Sequence, residues 1–137
     1  MKHIIGLILI VLISFTTGKT QQKISHSTKK LVYKISAVNK YESQFVGFAG
    51  TPSQQYLNFQ HLRQSATQEE LQELLRHKNA VVRIYSFKAL YEKNRKAAEQ
   101  HSRELLKDTA RFMTLQGCIA GSDRVKNTVR RILRRAD

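Results

Sequence analysis

The sequence predicts an all-α protein, a short stack of antiparallel helices, five to six in number, behind a signal peptide. Three observations lead there. One Pro and six Gly in 137 residues leave little punctuation for an all-β chain, which needs a turn about every eight to twelve residues. Hydrophobic residues at 41% and charged residues at 25% match an ordinary globular chain and argue against wholesale disorder or a multi-span membrane protein. Beyond residue 28, apolar positions recur at helical spacing. The single Cys excludes an internal disulfide framework and a paired-Cys zinc site.

The N-terminus reads as an export signal. Lys2 and His3 precede an apolar run from Ile4 to Phe15, broken by Gly6 and Ser14, and the small or polar Thr16, Thr17 and Gly18 follow. This is the organisation of a signal peptide over residues 1–18, too short for the roughly 20 residues of a spanning helix. Cleavage after Gly18 leaves Lys19 first, with a cut after Thr20 as the alternative. The mature chain then carries no transmembrane segment, and its localisation is periplasmic or secreted. Gly18-Lys19-Thr20 superficially matches the end of a phosphate-binding loop, but Ile13 stands where that motif requires Gly.

Charge is very positive. There are 24 Lys plus Arg against 10 Asp plus Glu, a formal +14 with a pI near 10.3. Residues 19–50 are net +5, residues 51–121 net +4 over far more chain, and residues 122–137 net +4. Basic ends around a balanced middle suggest a central packed unit flanked by basic arms or helices.

Residues 19–27 are polar apart from Ile24 and read as a flexible leader, so the expected domain is 28–137. Leu31, Ile35 and Val38 mark a helix ending near Lys40. Ser43 to Gly50, with Phe45, Val46 and Phe48, reads as a hydrophobic loop tucked against the core. Thr51 as cap and Pro52 at the first helical position start a helix bearing Tyr56, Phe59 and Leu62 to about Gln64. Thr67-Gln68-Glu69-Glu70 is a capping box leading into Leu71, Leu74 and Leu75, with Arg76, His77 and Lys78 in the last turn. Asn79 caps Ala80 to Lys93, whose apolar residues point nearly all around the axis, so neighbours should enclose this helix. Arg95 to Lys107 follows with Ala98, His101 and Leu105 inward. Asp108 then caps a helix containing Phe112, Met113 and Leu115, and Gly117 to Gly121 breaks the pattern. A last helix begins at Ser122 or Asp123, with Val125, Val129, Ile132 and Leu133 on one face and Arg124, Lys126, Arg130, Arg131, Arg134 and Arg135 around it.

Residues Glu69 to Leu90 resemble one HEAT-type helical repeat: a leucine-bearing helix, a short polar turn and a Val-Arg second helix. Its structural positions are Leu71, Leu74, Leu75, Asn79, Val82, Arg83 and Leu90. The stretch from Val46 to Cys118 is similar to small exported bacterial proteins with a HEAT-like unit and no assigned activity. The resemblance implies a helical-hairpin stack serving protein interaction. Asn79 and Ala80 depart from the family's usual Asp and Pro in the turn. Leu105 to Asp108 resembles the close of another first helix, with Met113-Thr114 in place of Val-Arg.

Nothing has catalytic spacing. Glu69, Glu70 and Glu73 occupy the first turns of a helix, where acids suit the dipole. His61, His77 and His101 have no partner in a metal-binding frame, and His3 and His26 lie in the signal and leader. Cys118 reads as a small buried residue at a helix end, with a reactive thiol as the sharper alternative. Arg83, on an apolar helix, needs acceptors: carbonyls at a helix end, or a side chain such as Asn79 or Asp108.

The expectation is an exported, non-catalytic helical-repeat interaction module without cofactor or metal, with an unidentified protein partner, an acidic one among the candidates. The second reading is a binder of nucleic acid or an anionic envelope surface through the basic ends, with aromatics Tyr33, Tyr41, Phe45 and Phe48 interleaved with Lys. Export argues against specific nucleic-acid duty. Partner or anion contact is assigned to Arg124, Arg130, Arg131, Arg134 and Arg135, because like charges at i, i+4 oppose an isolated helix.

Overall fold

The structure, a computed structural model, describes residues 23–135. The expected signal peptide of residues 1–18 and residues 19–22 of the expected leader lie outside them. The described elements are α1 (His26–Val38), β1 (Lys40–Val46), β2 (Thr51–Pro52), α2 (Gln54–Ser65), α3 (Gln68–Leu74), α4 (Ala80–Lys93), α5 (Arg95–Leu105), β3 (Arg111–Gly117), β4 (Ile119–Arg124) and α6 (Val125–Arg134). The strands form one mixed sheet in the order β2-β1-β3-β4. β1 and β3 are parallel, while the β1–β2 and β3–β4 pairs are antiparallel.

The all-α expectation is therefore wrong: the fold is mixed α/β, and no HEAT-like stack is present among the described residues. The helix expected to carry Phe112, Met113 and Leu115 is β3, where Phe112 is buried and Met113 exposed in the alternation of a strand. The hydrophobic loop expected to tuck inward is β1 and the turn after it, where Phe48 is wholly exposed at 102%. The count of Gly and Pro misled because only two tight turns are needed. Four helices, α2 to α5, make the crossover that parallel strands require. Gly47, Gly50 and Gly117, all at positive φ, shape the two turns. Gly117 opens the two-residue β3–β4 hairpin in the conformation that Cβ-bearing residues resist.

Local signals in the helical region hold. Thr67 caps α3 with both bonds of the capping box formed, and Asn79 Oδ1 accepts from Val81 N–H and Val82 N–H. α4 is enclosed as expected, with Val81, Val82, Ile84, Tyr85, Phe87 and Leu90 fully buried. At about 1.5–3 kcal/mol per buried large apolar side chain, it is the main source of hydrophobic stability. The former repeat positions Leu71, Leu74, Leu75, Val82 and Leu90 are core residues of the α3–α4 hairpin. Arg83 bonds Asp108 Oδ2 through Nε at 2.8 Å and the His77 carbonyl at 2.7 Å. It thus uses both acceptor types foreseen and ties α4 to the segment entering β3. Asp108 starts no helix, which removes the second repeat.

Boundaries elsewhere shift. Ser53, not Thr51, caps α2, because Thr51–Pro52 is spent on β2. α1 buries Thr28, Val32 and Ile35, leaving Val38 exposed. Ser25 caps α1 and donates its N–H to Glu70 Oε1 at 2.7 Å, so the leader's last residues are folded. His101 is exposed on α5. α6 starts at Val125, with Ser122 and Asp123 in β4.

Nor are the basic ends arms on a packed middle. The N-terminal basic stretch builds α1 and β1, and α6 packs through Val125 and Val129, both fully buried, within the same core as α4 and α5. The helical-repeat reading of function, and the reading that relied on appended basic ends, both lose their structural basis.

Candidate functional site

One edge of the sheet is sealed residue by residue. Gln55 Nε2 donates to the Lys40 carbonyl at 2.9 Å, and the Tyr85 hydroxyl bonds both the N–H and the carbonyl of Glu42. Ser53 N–H reaches the Gln44 carbonyl at 2.9 Å. β2 pairs with Phe45 and Val46. Buried side chains of α2 and α4 thus stand in for a missing strand along β1.

The other edge is β4, and there the ladder geometry says what is open. Val125 N–H bonds the Ala110 carbonyl at 3.0 Å, in register with Arg111 opposite Arg124 and Phe112 opposite Asp123. Hydrogen-bonded and non-hydrogen-bonded pairs alternate in an antiparallel ladder. Asp123 and Gly121 therefore face β3, while Arg124, Ser122 and Ala120 turn their N–H and C=O groups outward. The Arg124 N–H is taken by Asp123 Oδ1 at 2.7 Å. No described residue covers the outward groups of Ala120 and Ser122, both exposed.

Flanking this edge, positive charge lies on both faces of the sheet. On the face away from the helices, Arg111 is directly opposite Arg124 at the closer, non-hydrogen-bonded kind of pair, where like charges destabilise. Arg111 donates to Ser122 Oγ at 2.7 Å. Arg124 is also the N-cap residue of α6 with no side-chain cap bond, at the positive end of the helix dipole. Between these arginines and Lys40 lies Met113, 52% exposed, with Leu115 and Ala120 beside it on the same face.

Towards the helices, a cavity of about 410 Å³ opens between the sheet and α6, lined by Tyr41, Thr114, Gln116, Asp123, Arg131 and Arg135 among others. Asp123 is its organising acid. It accepts from Thr128 Oγ1 at 2.7 Å, Asn127 Nδ2 at 3.1 Å and the Arg131 guanidinium. Burial pushes its pKa up, but the bonds from Thr128, the Arg124 N–H, Asn127 and Arg131 outweigh burial and hold it below the ordinary range. Burial also raises the Tyr41 phenol, against the pull of Arg135 and Arg131.

Of the five arginines expected to make contacts, Arg131 is committed to Asp123 and shares the cavity with Arg135, while Arg124 is on the open face. Arg130 and Arg134 are exposed on α6. Arg111 and Met113 were missed, because Asp108 was read as the start of a helix. The residues interleaved with Lys divide: Tyr41 packs on Tyr85 with ring centroids 4.8 Å apart, whereas Tyr33, Phe45 and Phe48 are exposed. Phe48 lies in the turn after β1 and Ile119 opens β4, and the Gly47 N–H to Gly117 carbonyl bond at 3.1 Å joins the two ends.

The remaining candidates are weaker. Cys118 is exposed at the hairpin turn, contrary to the buried reading. A groove of about 1280 Å³ between α3 and α5 mixes Glu69, Glu73 and Glu104 with Arg76, Arg103 and Lys107, and so selects no charge. Glu70 is occupied by Ser25, Thr28 and Thr67. His77 Nδ1 accepts the Asn79 N–H at 3.1 Å, and burial, then Lys78 and Arg83, lower its pKa. Among the described residues no cluster of His, Cys, Asp and Glu is arranged to hold a metal, and no helix is long and apolar enough to cross a membrane. No protein-family model, curated protein or solved structure matches this chain.

Proposed function

We propose that this chain is an exported binding protein, not an enzyme, which holds an acidic protein partner against the surface formed by β3, β4 and α6. The observation that carries the reading is the Arg111–Arg124 pair. Two arginines stand directly opposite each other on neighbouring strands, one of them also at the unfavourable end of a helix. Each placement opposes folding by a few tenths of a kcal/mol to about 1 kcal/mol, and carboxylates from a partner would relieve both. Met113, Leu115 and Ala120 beside them supply apolar contact, the composition of a patch that takes a protein more readily than a free ion. Arg130, Arg134 and Arg135 extend the positive field and speed encounter with a negative surface.

Binding of a glutamate-rich peptide to the chain, measured by anisotropy at low and moderate salt, tests it. Changing Arg111 and Arg124 together to Gln should weaken binding at least about tenfold while raising, or leaving unchanged, the melting temperature. Unchanged affinity would refute the reading. Export predicts a product starting at Lys19, or at Gln21 for the later cut, in N-terminal sequencing of the extracytoplasmic fraction. A retained Met1 would refute it.

A further inference from the structure

We infer that the acidic partner is bound as an added β-strand: an extended acidic segment pairs with the free edge of β4 through Ala120 and Ser122. This rests on the acidic-partner reading and specifies how the same site works. The two sheet edges are unequal. An unpaired edge carries N–H and C=O groups that seek a strand. Along β1 the Lys40 carbonyl, both Glu42 groups and the Gln44 carbonyl are met by Gln55, Tyr85 and Ser53, and Phe45 and Val46 pair with β2. Along β4 the outward groups of Ala120 and Ser122 are bare, and the side chains there are too small to shield them.

Charge identifies the occupant. Side chains of an added strand alternate between the two faces. On one face they would meet Arg111 and Arg124, and on the other Arg131 and Arg135 across the cavity beside Asp123. A segment with carboxylates along the face that meets Arg111 and Arg124 fits. A second copy of this chain does not, because pairing β4 with itself would bring more arginine to an edge that already places Arg124 opposite Arg111.

The test uses the full chain and a blocked octapeptide of alternating Glu and Thr. Two further forms are N-methylated on the Glu nitrogens or on the Thr nitrogens, each removing the donors that point to one side of the strand. Strand addition predicts that one methylation pattern weakens binding at least about tenfold and that the other is tolerated. It also predicts that peptide binding slows hydrogen exchange at the Ala120 and Ser122 amides. Ala120→Pro removes an edge donor outside the β3 ladder, so it should lose binding at unchanged secondary structure. If that variant does not fold, the methylated peptides decide alone. Equal binding of all three peptides with no added protection overturns strand addition and leaves the acidic-partner reading standing. Absence of binding by any of them at low salt overturns both. Protection of the two amides in the free chain, rising with its concentration, would assign the edge to a second copy and overturn the inference.

Discussion

The Tyr85 hydroxyl accepts the Glu42 N–H at 2.9 Å and donates to the Glu42 carbonyl at 3.3 Å, as the backbone of a neighbouring strand would. Tyr85 is fully buried, with its ring 4.8 Å from Tyr41 and 5.1 Å from Phe59 between centroids. Burial, above all other influences, raises its pKa, so the phenol stays protonated and able to donate. One side chain of α4 thereby closes the part of β1 that the two-residue β2 is too short to reach.

Tyr85→Phe keeps the aromatic packing and leaves both Glu42 groups without a partner. The expected loss is about 1–3 kcal/mol in urea unfolding. A loss under about 0.5 kcal/mol would mean that water satisfies this edge and the tyrosine does not seal it.

Arg83 and Asp108 form a largely shielded pair, with side-chain exposures of 12% and 20%. Asp108→Asn removes the charge from this bridge, and Arg83→Met removes its cation. Asp108→Asn should cost about 1–3 kcal/mol, and the double variant should cost less than the two single changes added together. Additive losses would show that each residue is held by its other contacts, the His77 and Lys78 carbonyls for Arg83 and the Ala110 N–H for Asp108.

Val82→Asp places a carboxylate where the side chain is fully buried on α4. The cost is several kcal/mol, comparable to the whole stability of a domain this size, so circular dichroism should show an unfolded or molten chain at room temperature. An unchanged melting temperature would contradict the enclosed position of α4.

Acid stability follows from Asp123 and Glu70. Both sit below their ordinary values: burial raises each, and hydrogen bonds from Ser25 and Thr67 on Glu70, or Thr128 and Arg124 on Asp123, overcome it. The unfolded chain therefore binds more protons than the native one in the window below about pH 4. Stability is fully present above that pH and is lost as pH falls through the lowered native values. His77, lowered by burial and then by Lys78 and Arg83, adds an earlier loss of the same sign as pH falls below about 6.5. The double variant Glu70→Gln, Asp123→Asn should show a flatter acid limb in denaturation measured from pH 6 to 2. An unaltered limb would assign acid sensitivity elsewhere.

Sequence alone determined what nearby residues decide among themselves. The Thr67–Glu70 box, the Asn79 cap, the enclosure of Ala80 to Lys93 and the His77 carbonyl that Arg83 reaches all follow from bonds or periodicities within one or two helical turns, which a short window contains. Tertiary structure decided the sheet and with it the site. β1 and β3 pair across most of the chain, Lys40 with Met113 and Tyr41 with Thr114, so the bonds that make them strands are invisible to any local reading. Phe112, Met113 and Leu115 satisfy a helical spacing as readily as a strand alternation. What selects the strand is the Tyr41 ring against Phe112 on one face and β4 alongside. The five arginines near the C-terminus were legible as charge, but Arg111 joined them only through the register that sets it opposite Arg124. The edge of β4 became a candidate only because folding sealed the other edge of the sheet.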